Sequence, residues 1–390
     1  MPRDIVVNGR FLARRVTGNE RYGREILRCF KDGYRVEQSH AQGMLGHLWE
    51  QFILPTKLKR DSILWSPANS GPLMIQNQAL TIHDLSPLEH PEWFTRSYSA
   101  WHRLFLPKLA KRVRVIFTPS EYVKQKVMKR FGVENVIVTP NGVDRSVFHP
   151  TPPVIARSRW SSSPERTLRR AYRDRGDEAI SLTGVEIASS GYASSSFPFD
   201  RLRVTPLSAS HPRNDDIFPK KYILFAGSIQ PRKNLEGLMR AWRKIKDKFK
   251  DTWLVMAGES GRVFRSVKFF ADERIRCLNY VADEDLPGLY ANAELFVLPS
   301  FDEGFGLPAL EAMACGTPVI VSDGGALPET VGNAGHVFSL EEPDSLAQAI
   351  ESCLGDDSLR ASLIERGLAR AKKFSWQNTA DLIWKALNEL

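Results

Sequence analysis

Cysteine is scarce: only Cys29, Cys277, Cys315 and Cys353 occur in 390 residues, and no two stand at the spacing of a metal clip. A disulfide framework or a cysteine-ligated metal is therefore not expected, and the four read as buried, reduced thiols of a cytosolic protein. Long apolar runs are missing too. None approaches the ~20 residues needed to cross a bilayer, which excludes integral membrane insertion. The opening MPRDIVVNGRF has a short apolar stretch and no cleavage-site pattern, so export is not expected. The Gly-containing turn TGNERYGREIL (17–27) lacks the G-x-G-x-x-G spacing, which disfavours a nicotinamide dehydrogenase. What remains, 42% hydrophobic and 25% charged residues, is the composition of a soluble globular chain of about two domains.

Basic residues exceed acidic ones, 54 against 45, and the excess is local. Residues 1–150 carry net +10, residues 151–216 net +2, and residues 217–390 net −3. A localised basic excess faces an anionic partner or is simply a solvated surface. Nucleic acid is one such partner, but no recognised motif and no interleaved aromatic–basic platform accompanies the charge, so no nucleic-acid binding is expected.

Residues 151–216 stand apart. They hold ten arginines, twelve serines and no lysine, with no sustained helical or strand periodicity. They read as a disordered or loosely packed insertion at a domain junction. On both sides, strands and helices alternate. Buried-strand patterns occupy 4–8, 63–68, 79–84, 113–120 and 135–142, then 222–228, 252–258, 275–281, 294–300 and 317–323. Helical patterns fill the gaps near 20–30, 46–58, 96–112 and 120–131, then near 234–249, 284–292, 308–314, 343–354 and 358–372. This is an α/β chain with two doubly wound, Rossmann-like domains, 1–150 and 217–390. Such sheets bind ligands beyond the carboxyl ends of their strands, so the cleft between the two domains is the expected site.

Four motifs lie at such ends. PSFDEGFGLPALEAMACGTPVIVSDGGALPE (299–329) runs from a strand through a Gly-rich loop into a helix near Pro308. Its glycines admit a close ligand, its backbone N–H groups suit an anion or hydroxyl, and Glu303 and Glu311 each accept paired hydroxyls of a diol. FAGSIQPRKNLEGLM (225–239) sets Arg232 and Lys233 at a helix start, where charge and helix dipole favour a diphosphate. TIHDLSPLEHPEWF (81–94) places His83 after a strand of the first domain. TGNERYGREIL (17–27) is a Gly-containing turn into the first helix.

Together these motifs resemble the retaining nucleotide-sugar glycosyltransferases of family four, which have the GT-B fold of two facing Rossmann-like domains. The likeness covers nearly everything outside 151–216. VTPNGVDRSVFHP (138–150) resembles the family's entry into the interdomain linker. GHLWEQFILP (46–55) and TGNERYGRE resemble the branch of bacterial O-antigen and capsule mannosyltransferases. The resemblance implies that Arg232 and Lys233 hold the donor diphosphate and that Glu311 takes the ribose hydroxyls. Glu303, with the backbone of Gly304, Phe305 and Gly306, would hold the donor sugar. Leu307 would make a backbone contact near the nucleotide, and Tyr280 and Val281 would border the base. His83 would face the donor sugar, and Gly18 would let its loop approach the diphosphate. No metal and no cofactor are implied, only a nucleotide-diphosphate sugar as co-substrate, GDP-mannose by the branch. The acceptor would be a saccharide, free or linked to a polyprenyl diphosphate. No covalent nucleophile is assigned.

The first domain would bind that acceptor. Segment 98–114, YSAWHRLFLPKLAKRVR, reads as a basic amphipathic helix broken or kinked at Pro107. It either packs its apolar face on the sheet or attaches peripherally to an anionic inner membrane. Three other readings stand beside glycosyl transfer: a GT-B phosphorylase, a sugar epimerase, and a catalytically silent nucleotide-sugar-binding partner of another transferase.

Overall fold

Short Val/Ile/Leu-rich segments build two six-stranded sheets in which every pairing is parallel. The computed structural model describes residues 4–13, 18–39, 41, 43–150, 218–261, 263–267 and 272–390. The insertion expected at 151–216 lies outside the described residues.

The first sheet contains β1 (Ile5–Asn8), β2 (Tyr34–Glu37), β3 (Ile63–Ser66), β4 (Gln78–Thr81), β5 (Val115–Thr118) and β6 (Val136–Val138), in the order β2-β1-β3-β4-β5-β6. The second contains β7 (Lys221–Ala226), β8 (Thr252–Ala257), β9 (Ile275–Asn279), β10 (Leu295–Leu298), β11 (Val319–Ser322) and β12 (His336–Phe338), in the order β12-β11-β10-β7-β8-β9. Every residue of β1, β3, β4, β5, β10 and β11 is buried. That is the demand of a parallel sheet covered on both faces, and it is why these strands read as continuous apolar runs. The edge strands β2 (YRVE) and β12 (HVF) escape such a reading, because half-burial leaves them mixed in character. In the first sheet the strand order reverses between β1 and β3, and in the second between β7 and β10. Each reversal opens a crevice at the carboxyl ends.

The helices used below are α1 (Gly18–Cys29), α2 (Gly43–Leu48), α3 (Arg96–Ala110), α4 (Glu121–Phe131), α5 (Leu235–Ile245), α6 (Leu286–Ala291), α7 (Leu307–Ala314) and α8 (Trp376–Glu389). Helix α4 shows both terminal signals: the Ser120 side chain accepts from Val123 N, and Gly132 takes φ 66° at the far end. Of the break or kink expected at Pro107, the break does not occur: helix α3 continues through the proline. The carbonyl that the proline leaves unbonded belongs to Arg103, on the exposed side. Its large apolar residues mostly turn inward: Leu106 and Leu109 are buried, Trp101 and Phe105 half-buried, and Leu104 is open. Two of the four thiols also differ from expectation, since Cys277 is exposed and Cys29 half-buried.

The C-terminal helix crosses back to the first half. On α8, Trp384 lies 4.9 Å from Phe30, Trp376 lies 6.0 Å from Tyr22, and the Thr379 hydroxyl donates to the Pro140 carbonyl. A Cβ on Gly142 would sit 2.1 Å from Trp376 N, so only glycine admits α8 here. The two halves pack as one compact unit. Among the described residues no helix is long and apolar enough to cross a membrane.

Candidate active site

The β7/β10 crevice brings three of the expected residues together. After β7 the chain turns at Gly227 and makes a short 3-10 turn, Pro231–Lys233, before α5 begins. After β10 it runs through Ser300 to Glu303. Arg232 Nη1 donates to Glu303 Oε2 at 2.9 Å and to the Asp302 carbonyl at 2.8 Å. Lys233 Nζ donates to Glu303 Oε1, which also accepts from Ser300 Oγ at 2.7 Å. Burial pushes the Glu303 carboxyl upward, but the charges of Arg232 and Lys233 outweigh it and hold the group at about 2. Glu303 is thus ionised across the physiological range. Arg232 and Lys233 converge on this one carboxylate. The charges of Asp84 and Asp302 also act on Arg232, and burial lowers the Lys233 pKa. Guanidinium and ammonium donors so placed can make charge-assisted bonds to a diphosphate.

Glu311 lies one turn inside α7. Gly306, at φ 95°, starts this helix, and Pro308 occupies its first turn. Glu311 is buried at 3% exposure and accepts from Tyr290 Oη of α6 at 3.0 Å. Its other oxygen is taken by Arg21 of α1, in the opposite half, and the same guanidinium also reaches Asp283. Burial works against the Arg21 charge, but Glu311 and Asp283 outweigh it and hold the guanidinium protonated. Asp283 is two residues beyond buried Val281, so Arg21 bridges the segment after β9 to Glu311.

His83 enters from the first half, beyond β4. Its Nε2–H donates to the Pro67 carbonyl at 2.7 Å, and its backbone N–H donates to Asn69 Oδ1 at 2.7 Å. Its ring stands edge-on to Tyr22, with centroids 4.7 Å apart. Burial lowers its pKa despite the Pro67 contact and the nearby charges of Asp84 and Glu20. The ring is therefore neutral, and since Pro67 can only accept, the proton sits on Nε2 and Nδ1 keeps its lone pair. Across the cleft, a Cβ on Gly304 would lie 1.9 Å from the His83 carbonyl oxygen. The Gly304 carbonyl accepts from Ser120 Oγ at 2.7 Å. His83, Gly304 and Glu303 therefore belong to one corner.

The other expected residues take different places. Leu307 is buried, and so is Phe305, whose ring packs on Phe374 with centroids 5.6 Å apart. Their backbone, not their side chains, lines the loop. Gly18 opens α1 in an exposed position, and a Cβ there would meet nothing within 4 Å. Arg21, Ser300, Asp302 and Tyr290 were not anticipated. Arg21 lies within the TGNERYGRE motif, but only tertiary packing brings it to Glu311.

Comparisons with known proteins bear on the family and the fold. The sequence model described as "Glycosyltransferase Family 4" matches residues 65–147, and that described as "Glycosyl transferases group 1" matches residues 210–370. Together they cover more than half of the chain. The O-antigen chain mannosyltransferase B of Escherichia coli is 41% identical over 205 residues, covering 47% of this chain and 53% of that protein. The serotype-specific mannosyltransferase WbdA of Escherichia coli is 32% identical over 180 residues, covering 44% of this chain and 22% of that protein. The chain thus spans about half of one relative and about a fifth of the other. Among solved structures, Anabaena Alr3699/HepE in complex with UDP and glucose superposes with a TM-score of 0.64 at 16% identity over all of both chains, a likeness of fold. With its two facing parallel sheets and both matched segments, the chain belongs to the family-four glycosyltransferases of GT-B fold.

Proposed function

We propose that the protein is a retaining glycosyltransferase that moves mannose from GDP-mannose to a saccharide, free or linked to a polyprenyl diphosphate, in surface polysaccharide assembly. The observation that carries this reading is the Arg232–Lys233–Glu303 cluster in the β7/β10 crevice, facing neutral His83 across the cleft. The mannosyltransferase names of the Escherichia coli relatives support the sugar.

On this reading the donor diphosphate takes over part of the pairing now made by Glu303. Arg232 and Lys233 then stabilise the charge that grows as the nucleotide leaves. Preorganised donors of this kind contribute about 10²–10³ in rate each, so no metal is required. Glu303, ionised, accepts hydrogen bonds from sugar hydroxyls, and His83 Nδ1 accepts one from the first half. Glu311 takes the ribose hydroxyls after Arg21 yields an oxygen. The anomeric C–O bond to phosphate breaks while the acceptor oxygen bonds the same face. The acceptor proton passes to the leaving phosphate oxygen.

A lipid-linked acceptor puts the work at the cytoplasmic face of a membrane. An outward apolar face supports this: Met44, Leu45, Leu48, Phe52 and Ile53 are all at least 46% exposed, with Leu104 and the basic Arg103 nearby on α3. Contact would then run through 43–53 more than through 98–114.

A thermal-shift panel of nucleotide sugars tests the reading. GDP-mannose should give the largest shift. Lys233→Ala and Glu311→Ala should remove it and lower turnover by at least about 10². Undiminished turnover in both variants refutes the site.

A further inference from the structure

Three rings stand half-open at the outer edge of the Glu303 corner. His90 stacks on Trp93 with centroids 3.9 Å apart and planes 14° apart. Trp93 faces Phe301 at 6.3 Å and 21°. His90 and Trp93 come from the first half, in the turn after β4, and Phe301 from the second, in the loop after β10. Phe301 is 46% exposed, and the His90 side chain is 40% exposed. The expected site makes no use of any of them.

Their place is defined by the backbone. Phe301 N donates to the Arg232 carbonyl at 2.8 Å, and Glu303 follows two residues later. Arg265 N donates to the Trp93 carbonyl at 2.9 Å, and Thr95 N to the Val263 carbonyl at 2.8 Å, so the two halves are stitched together where the rings meet. The rings therefore flank the corner that takes the donor sugar. Solvent-facing aromatic surface costs free energy unless something covers it. A pyranose presents a flat C–H face to a ring and hydroxyls at its rim. Carboxylates that accept such hydroxyls are at hand. Asp84, next to His83, accepts from Ser86 N through Oδ1 and keeps further lone pairs, and exposed Glu92 contacts His90 Nδ1 through Oε1 at 3.0 Å. A lipid tail needs no carboxylates, and a nucleotide already has its own place at Glu311.

We infer that the His90–Trp93–Phe301 run is a saccharide platform, on which the acceptor's terminal pyranose stacks beside the Glu303 corner. The assignment to the acceptor rests on the glycosyltransferase reading above; the capacity to hold a sugar does not. Because the rings come from both halves, the platform is complete only when the halves are together.

Saturation-transfer NMR on the full chain, without nucleotide, reads the platform directly. The probes are the methyl α-glycosides of mannose, glucose, galactose and N-acetylglucosamine. At least one should show saturation concentrated on the ring C–H protons of one face. Phe301→Ala and Trp93→Ala should cut that signal at least fivefold, and Phe301→Tyr should restore it. Thermal shifts with GDP-mannose should stay unchanged in Phe301→Ala, whose exposed side chain leaves the fold intact. No signal from any probe, or an equal signal in the wild type and both alanine variants, overturns the platform. A ring-dependent sugar signal in a protein that no nucleotide sugar shifts leaves the platform standing and removes the transferase reading instead.

Discussion

Arg21 and Glu311 form an ion pair across the cleft, and Tyr290 holds the second Glu311 oxygen at 3.0 Å. The carboxylate expected to take a ribose diol is therefore already engaged by the opposite half. A nucleotide that binds Glu311 must displace a guanidinium anchored also by Asp283. Arg21→Gln removes that competitor. Calorimetry with guanosine, which carries no phosphate charge to confuse the comparison, should show binding tighter by about tenfold, or ~1.4 kcal/mol. Weaker binding makes Arg21 a ligand of the nucleotide instead.

Gly304 packs closely against the backbone of the other half. A Cβ there meets a backbone oxygen, that of His83, at 1.9 Å, and backbone cannot swing aside as a long side chain can. Gly304→Ala should force the halves apart, raise the radius of gyration in small-angle scattering and lower turnover by more than about tenfold. An unchanged scattering curve with full activity contradicts the geometry.

Stability should fall on mild acidification. Burial pushes His102 down to about 4, despite its contact with the Tyr98 carbonyl, and lowers His83 as well. Both native values lie below the unfolded value near 6.5, so the unfolded chain binds more protons in between. Stability is then fully present above about pH 6.5 and is lost as pH falls toward 4. Glu303 and Glu50, both held at about 2, stay ionised throughout this window. Urea unfolding should lose on the order of 2 kcal/mol between pH 7 and pH 5 through His102. His102→Gln should flatten the slope; an identical slope assigns the loss elsewhere.

The outward face of 43–53 should matter for lipid contact. Sedimentation with phosphatidylglycerol vesicles should pull down the wild type, and the pair Leu45→Glu with Phe52→Glu should weaken it roughly fivefold or more. Nucleotide-sugar shifts should stay the same, because these exposed side chains lie outside the Arg232–Lys233–Glu303 and Arg21–Glu311 clusters. Equal sedimentation ends the membrane role of this face.

Much of the architecture was written in the order of residues. Continuous apolar strands alternating with amphipathic helices specify parallel sheets, since only strands buried on both faces are apolar throughout. The Arg232–Lys233 pair and Glu303 were legible for a similar reason: each lies within a few residues of a strand end, and local geometry carries them to the carboxyl ends of the sheet. Glu311 was legible from its place in the helix that follows the same Gly-rich loop. The edge strands β2 and β12 were not, because half-burial leaves no clean period to read. Nor was the return of α8 to the first half, which turns on a single glycine, Gly142, admitting Trp376.

The partners of the legible residues were settled only by tertiary packing. Which cation meets which carboxylate oxygen, which nitrogen of His83 keeps its proton, and that Arg21 crosses to Glu311 all depend on contacts between residues as many as 290 positions apart. Chain order determines short-range periodicity, and periodicity determines the elements. Charge pairing and close approach depend on distance in space, and that exists only once the two sheets have faced each other.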